Sequence, residues 1–192
     1  MIDPQTQPNG EDYLAYCERR WGGDGWTASL KRSSRKDGCT FAKWETWPNT
    51  LLAHRLQKFA EAAGKGDQVN SLVFQTIYER GENASDLETL TAVAAEADLP
   101  PDEARAYLSS SEGHAAVLQD DRHSKTERNV RGVPCFVIRR AQGAPGATAP
   151  TATDGGGGGG GGGGGSRPSE TVLNGAVGPE DLFNALMSAC RA

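Results

Sequence analysis

The sequence predicts an α/β protein in which a long helical region is followed by two strands and a last helix. Residues 11–130 place apolar side chains at the three- and four-residue spacing that is typical of amphipathic helices. After Arg131 the pattern changes, and the run from Cys135 to Ile138 is β-branched and aromatic, as in a strand. A second short run of this kind, Glu170 to Leu173, indicates a partner strand.

The helical region divides into short helices at glycines, prolines and capping residues. Residues 39–47 are ambiguous, but their side chains suit an extended segment, and Pro48 biases the residue before it away from helical angles. Asp67 and Ser85 are predicted to cap the helices that follow them. The predicted helices span residues 11–21, 26–35, 49–64, 68–80, 85–97, 101–108 and 110–129.

A low-complexity loop separates the two predicted strands. Residues 141–169 are mostly alanine, proline, threonine and glycine, and Gly155 to Gly165 form an unbroken tract. Lengthening a hairpin connection from about 4 to about 29 residues costs only ~1.8 kcal/mol of loop-closure entropy, so the strands can still pair. A final helix is predicted from Pro179 to about Cys190. The predicted parts are an extended segment (1–10), a helical subdomain (11–130), an α/β part (131–140 with 170–192) and the loop (141–169).

Composition and charge exclude several classes of function. The net charge is −5, without the basic surplus that nucleic-acid binders present. No run approaches the ~20 apolar residues of a membrane span, and the N-terminus lacks the layout of a signal peptide. The four cysteines stand far apart, which favours neither a disulfide framework nor a zinc site. We therefore expect an intracellular, cytoplasmic protein that binds neither nucleic acid nor membranes.

Four stretches of the sequence together carry a family resemblance. Asn49 to Leu56 reads Asn-Thr-x-x-Ala-His-Arg-Leu, and the other three are Ile77 to Leu90, Gly132-Val133-Pro134 before the first strand, and Asn174-Gly175-Ala176 before the last helix. In this combination the chain resembles the FrnE-like subgroup of the DsbA family of thioredoxin-fold oxidoreductases. The resemblance extends over about residues 3–190.

The resemblance implies a partial thioredoxin-like fold with a predominantly helical insert. In that family a strand, a helix that begins with Cys-x-x-Cys and a second strand precede the insert. Met1 to Pro8 resembles the stretch just after that second strand, and no Cys-x-x-Cys occurs anywhere in these 192 residues. The sequence is therefore interpreted as N-terminally incomplete, with two C-terminal strands and the final helix remaining.

The resemblance also selects candidate site residues. Val133-Pro134 corresponds to the family's cis-proline bond, where the backbone binds a thiol- or disulfide-containing peptide or glutathione. Asn49 and His54, on the signature helix, are further substrate-binding candidates, although His54 fits an ordinary inter-helix or surface hydrogen bond equally well. Cys135 follows the proline and is the candidate thiol, but side chains alternate along a strand, so it also fits a position inside the sheet. No metal site is expected, and no cofactor apart from glutathione.

Three functions are consistent with the sequence. The first is a thiol–disulfide oxidoreductase that is catalytically incomplete in this chain, because exchange needs an attacking and a resolving thiol. The second is a glutathione-binding protein similar to kappa-class transferases and related isomerases. The third is a non-enzymatic helical module that binds peptides.

Overall fold

The computed structural model of the protein describes residues 3–39, 41, 43–139, 170–175 and 177–191. The predicted low-complexity loop, 141–169, lies outside the described residues. The chain divides into two compact units, Met1–Arg128 and Asn129–Ala192, close to the change of pattern after Arg131.

The first unit consists mainly of helices, in the order that the sequence predicts. They are α1 (Tyr13–Trp21), α2 (Gly25–Ser34), α3 (Leu51–Ala62), α4 (Gly66–Gln75), α5 (Leu87–Glu96), α6 (Pro101–Ser109) and α7 (His114–Thr126). A 3-10 turn at Arg35–Asp37 follows α2, and a π-helical segment at Thr76–Arg80 follows α4. Apolar stripes on these helices form the core, which includes Cys17, Leu56, Val69, Leu90 and Val93.

A short antiparallel pairing of two strands shortens the first predicted helix. Two-residue strands β1 (Glu11–Asp12) and β2 (Thr46–Trp47) pair with each other. The helix predicted from residue 11 therefore begins at Tyr13, with the Asp12 carboxylate accepting from the backbone N–H of Ala15 at 2.8 Å. Before β1, the described part of the predicted extended segment forms turns, closed by bonds such as Gly10 N–H to the carbonyl of Gln7.

Two predicted helix caps are wrong. The fourth helix begins at Gly66, with Lys65 at its N-cap, so Asp67 lies inside the first turn rather than capping it. Asp86, not Ser85, caps α5 by accepting from the backbone N–H of Thr89 at 2.8 Å. Ser85 has a long-range partner instead, because its hydroxyl accepts from the backbone N–H of Asn49 at 2.6 Å.

A buried arginine holds α3 against the end of α6. Arg55 is 3% exposed, and its guanidinium donates to four backbone carbonyls: those of Tyr107 (2.6 Å), Leu108 (3.0 Å), Ser110 (2.9 Å) and Glu112 (2.8 Å). The last carbonyls of a helix lack intrahelical donors and carry its negative dipole end, so a cation is favourable there. Because these bonds occupy residues 107–112, α7 begins at His114 rather than at the predicted 110.

We expect Arg55→Lys to lower the free energy of unfolding of the chain by about 2–3 kcal/mol. A lysine ammonium has three donors and no planar fork, so buried carbonyls would lose their partners. Urea unfolding followed by far-UV circular dichroism measures the change. The matched control is Arg105→Lys on α6, an exposed partner of Glu88, which should cost less than about 1 kcal/mol. Equal, small losses in the two variants would contradict this role of Arg55.

The second unit is a hairpin covered by one helix. Strands β3 (Cys135–Arg139) and β4 (Glu170–Asn174) pair antiparallel, with Phe136 opposite Leu173 and Val137 opposite Val172. Helix α8 (Pro179–Arg191) packs against one face of this hairpin. The shared core consists of Ile138, Ala185 and Ala189, with Leu173 and Leu182 packed against it. Both predicted strands are thus present, and they pair across the intervening loop.

We expect the second unit to open more readily than the first within the 192-residue chain. Its core is small, a two-stranded sheet is marginal in water, and Phe183 remains 61% exposed on α8. Native-state hydrogen exchange should therefore give a lower opening free energy for the amides of Phe136 and Leu173, which face each other as a hydrogen-bonded pair, than for those of Leu56 and Leu90. Equal protection of the hairpin and the α3–α5 core would contradict this expectation.

Candidate functional site

The predicted site residues are divided between the two units. Val133, Pro134 and Cys135 belong to the second unit, whereas Asn49 and His54 belong to the first. The two groups are therefore described separately.

In the second unit, Val133 and Pro134 are exposed and lie just before the first strand of the hairpin. The peptide bond between them is cis, and Val133 is 71% exposed. The carbonyl of Pro134 accepts from the backbone N–H of Gly175 at 2.8 Å, which extends the pairing of β3 and β4 by one step. The backbone bonds described for this segment leave Val133 without a partner, so its polar groups are accessible to a ligand.

Cys135 lies on the face of the hairpin opposite to α8. Ile138 packs against α8, and because strand side chains alternate, Cys135 and Val137 lie on the other face. The thiol is half-buried and stands in register with Asn174. The Cys135 thiol therefore lies outside the core that Ile138 shares with α8 and is partly exposed to solvent.

The other described thiols, Cys17 and Cys39, belong to the first unit. Cys17, Cys39 and Cys135 are free. Cys17 is fully buried, and loss of water raises the pKa of its thiol, which reduces the nucleophilic thiolate. Cys39 is exposed and lies in the first unit. Within the described ranges, no three His, Cys, Asp or Glu side chains come close enough together to hold a metal ion.

In the first unit, the side chain and backbone of Asn49 are engaged in structural bonds. Its amide oxygen accepts from the backbone N–H of Leu51 at 3.1 Å, and its amide nitrogen donates to the carbonyl of Thr6 at 3.3 Å. Its backbone N–H donates to Ser85, as described above. These bonds join the N-terminal turn to the starts of α3 and α5, so Asn49 has a folding role that needs no ligand.

His54 lies on the wall of a cavity that the sequence did not predict. The cavity measures about 220 Å³ and opens to solvent. Pro48, Thr50 and Ala53 form its wall beside His54. The remaining lining residues are five aromatic, four polar and two aliphatic side chains: Tyr16, Trp44, Trp47, Phe74 and Tyr78, with Asp3, Thr6, Gln57 and Asn70, and Val73 and Ile77. The sequence signal that was overlooked is the density of aromatic residues within 13–47.

Three ionisable side chains at this cavity, Asp3, Tyr16 and His54, have shifted pKa values. Burial opposes ionisation of Asp3, but hydrogen bonds from Gln5 N–H (2.9 Å) and the Tyr16 hydroxyl (2.8 Å) outweigh it and lower the pKa of the Asp3 carboxyl. Burial, reinforced by the bond to Asp3, raises the pKa of Tyr16 to about 12. His54 is an exposed residue, yet loss of water on one side, together with the positive N-terminus, lowers the pKa of its imidazole. At neutral pH the cavity therefore holds a carboxylate, a protonated phenol and a neutral imidazole.

A family comparison identifies the class of protein. The family model described as "DSBA-like thioredoxin domain" matches residues 25–154, which is more than half of the chain. The chain belongs to this family, as the sequence motifs suggested.

Two individual relatives extend this result. The uncharacterized protein YwbO of Bacillus subtilis (strain 168) is 28% identical over 137 residues, which cover 70% of this chain and 64% of that protein. The chain thus spans less than two thirds of the length of this curated relative. The crystal structure of a probable DsbA oxidoreductase from Streptomyces coelicolor matches with a TM-score of 0.72 at 19% identity, covering 98% of this chain and 72% of that one.

The structural match is evidence for the fold. A sequence identity of 19% does not show that the two proteins share an activity. The TM-score nevertheless confirms the DsbA-like thioredoxin fold, rich in helices and poor in strands, that the sequence predicts. None of the helices in the described ranges combines the length and apolar character that crossing a bilayer requires.

We expect His54→Gln to reduce the acid sensitivity of the fold. Because the pKa of His54 is lower in the folded chain than its ordinary value of 6.5, the unfolded chain takes up a proton first as the pH falls. Stability is then lost from about pH 7 downwards, until the pH lies below the folded pKa. Urea unfolding at about pH 7 and pH 5 should show a smaller loss in His54→Gln than in the parent chain. An unchanged loss would contradict the desolvation of His54.

Proposed function

We propose that this chain is the substrate-binding part of a FrnE-like thiol–disulfide oxidoreductase, and that its 192 residues do not complete a dithiol–disulfide cycle by themselves. The observation that carries the proposal is the disposition of the cysteines in a chain of this family. No Cys-x-x-Cys occurs in the sequence, and Cys135 is the one described thiol beside the exposed Val133 segment.

The chemistry explains why one thiol is insufficient. An attacking thiolate displaces one sulfur of a substrate disulfide and leaves a mixed disulfide, and a second thiol must then attack that bond to release the product. Cys135 can supply the first sulfur. The second must come from another molecule, such as glutathione, which becomes disulfide-linked in its turn.

The second unit is well suited to bind an extended peptide. An extended ligand gains affinity from main-chain hydrogen bonds and specificity from alternate side chains. Val133 lies just before β3, is 71% exposed and makes no backbone hydrogen bond within the described residues, and Val172 is 46% exposed on the same face of the hairpin as Cys135. In this proposal 131–140 with 170–192 form the C-terminal half of the thioredoxin-like domain, and 11–130 form its helical insert. The dispersed thiols favour a reducing, cytoplasmic location.

We expect the pre-reduced chain, without added thiol, to reduce insulin disulfides no further than a cysteine-free variant. The control replaces Cys39, Cys135 and Cys190 by serine and the buried Cys17 by alanine, and circular dichroism checks that it is folded. Cys135 should nevertheless form a mixed disulfide with oxidised glutathione, which peptide mass spectrometry locates and separates from an adduct on the exposed Cys39, and which is absent in Cys135→Ser. Insulin reduction well above the control would contradict the proposal.

The same assays separate the rival functions. Saturable glutathione affinity without disulfide exchange would favour a glutathione-dependent transferase or isomerase. A folded chain that neither exchanges disulfides nor binds glutathione would favour a non-enzymatic peptide-binding module.

A further inference from the structure

We propose that the cavity of the first unit binds a small neutral molecule, an apolar ring that carries one uncharged polar group such as an amide. This site is separate from the thiol chemistry of the second unit, and its test does not depend on that chemistry.

Two helices each present one face to the cavity. The lining residues of α3 with its N-cap, and of α4 with the π-helical segment that continues it, recur at the same spacing of three and four residues. Residues at this spacing share one side of a helix. They are Thr50, Ala53, His54 and Gln57 on one helix, and Asn70, Val73, Phe74 and Ile77 on the other. This part of the cavity is therefore a cleft between two facing helix sides.

The buried residues that these two helices contribute are aliphatic. Ala53 and Ile77 are each 6% exposed and belong to the core, against which Val73 also packs. The side chain of Ala53 ends at Cβ, so it leaves space in the cleft that a longer aliphatic side chain would fill. Burial of apolar surface contributes roughly 25 cal/mol per Å², so this part of the cleft favours an apolar ring.

The charges at the cavity are offset, so an ionised ligand has no free counter-ion there. Arg19 and Arg20 offset the carboxylate of Asp3. The imidazole of His54 is neutral at neutral pH, and the positive N-terminus and the Asp121 carboxylate act on it in opposite senses. A charged ligand would lose part of its hydration without gaining an ion pair, which is costly. The cavity therefore favours a neutral molecule.

Polar side chains around the cleft have hydrogen-bonding capacity to spare. The hydroxyl of Thr50 makes no capping bond at the start of α3. Within the described residues, the side chains of His54 and Asn70 form no hydrogen bond. A neutral imidazole and a primary amide each offer both a donor and an acceptor. Apolar walls with a few polar groups that can fix orientation are typical of small-molecule sites.

The size of the cavity is suitable for one substituted ring. An engineered apolar cavity of roughly 150 Å³ accommodates benzene, and this cavity measures about 220 Å³ and opens to solvent. A six-membered ring with one small substituent therefore fits. Benzamide has such a ring and an uncharged group that both donates and accepts hydrogen bonds, so it is the probe.

The first experiment compares benzamide with benzoate and benzamidinium, which have the same planar shape but carry a negative and a positive charge. Affinities are measured by titration of the 192-residue chain, followed through the methyl resonances of Ile77 in ¹H–¹³C spectra. We expect benzamide to bind at least about tenfold more tightly than either ion, because only the ions lose hydration without compensation. An ion that binds as tightly as benzamide, or no shift of the Ile77 methyl resonances with benzamide, would overturn the proposal.

A pair of alanine variants tests the location of the ring. Ala53→Leu fills the cleft, whereas Ala62→Leu makes the same change at an exposed position of α3 outside the lining. Ala53→Leu should weaken benzamide binding at least about tenfold, and Ala62→Leu should leave it within about twofold. Circular dichroism checks that both variants are folded. Parental affinity in a folded Ala53→Leu variant would overturn the location.

A pair of charge variants gives the same test without changing the packing of the core. Gln57→Glu places a negative charge on the cavity wall, and Gln68→Glu places one at an exposed position of α4 outside the lining. Gln57→Glu should raise the affinity for benzamidinium relative to benzamide at least about tenfold, because the bound cation gains a counter-ion. Gln68→Glu should leave this ratio within about twofold. Equal ratios in the two variants would overturn the location.

A peptide probe separates a free small molecule from a protein side chain of the same chemistry. The probe is acetyl-Ala-Phe-Ala-amide, which carries a phenyl ring and uncharged amides on a longer backbone. We expect it to bind at least about tenfold more weakly than benzamide, because the cavity has room for a ring and one small substituent. Tighter binding of the peptide than of benzamide would overturn the assignment to a small molecule.

Discussion

The helical unit depends on one buried cation, the guanidinium of Arg55. Four carbonyls at the end of α6 and in the connection to α7 would otherwise be left without donors in a low-dielectric interior, where each unmet group is costly. By satisfying them, Arg55 fixes α3 against α6 and determines where α7 can begin. Asn49, at the other end of α3, fixes the helix to the N-terminal turn through Thr6 and to the start of α5 through Ser85.

The motif that carries the family resemblance is thus largely a folding motif. Asn49 and Arg55 use their polar groups on backbone and side-chain partners within the first unit, and Leu56 is fully buried in its core. His54 is the member of the motif that reaches a cavity, where loss of water keeps it neutral. The motif match therefore supports the assignment of the fold more strongly than an assignment of catalytic activity. Thiol–disulfide exchange needs an arrangement of thiols that the sequence does not contain.

The two units also differ in what they expose. The first buries its aliphatic residues in a continuous core and gathers its aromatic rings around an open cavity. The second leaves apolar side chains such as Phe183 and Leu186 on the surface of α8, because a hairpin and one helix have too little surface to cover them. The Val133 segment that we assign to substrate binding therefore lies in the less extensively packed unit.

The sequence by itself determined the α/β class, the order of the helices and the two paired strands. These features are local, since apolar periodicity and turn residues act over a few neighbours. The tertiary structure decided the pairing of Glu11–Asp12 with Thr46–Trp47, the partner of Ser85, the role of Arg55 and the existence of the aromatic cavity. Each of these joins residues far apart in the chain. Asp3, Trp44 and Phe74 share a cavity only because packing brings their segments together, and no spacing along the sequence encodes that contact.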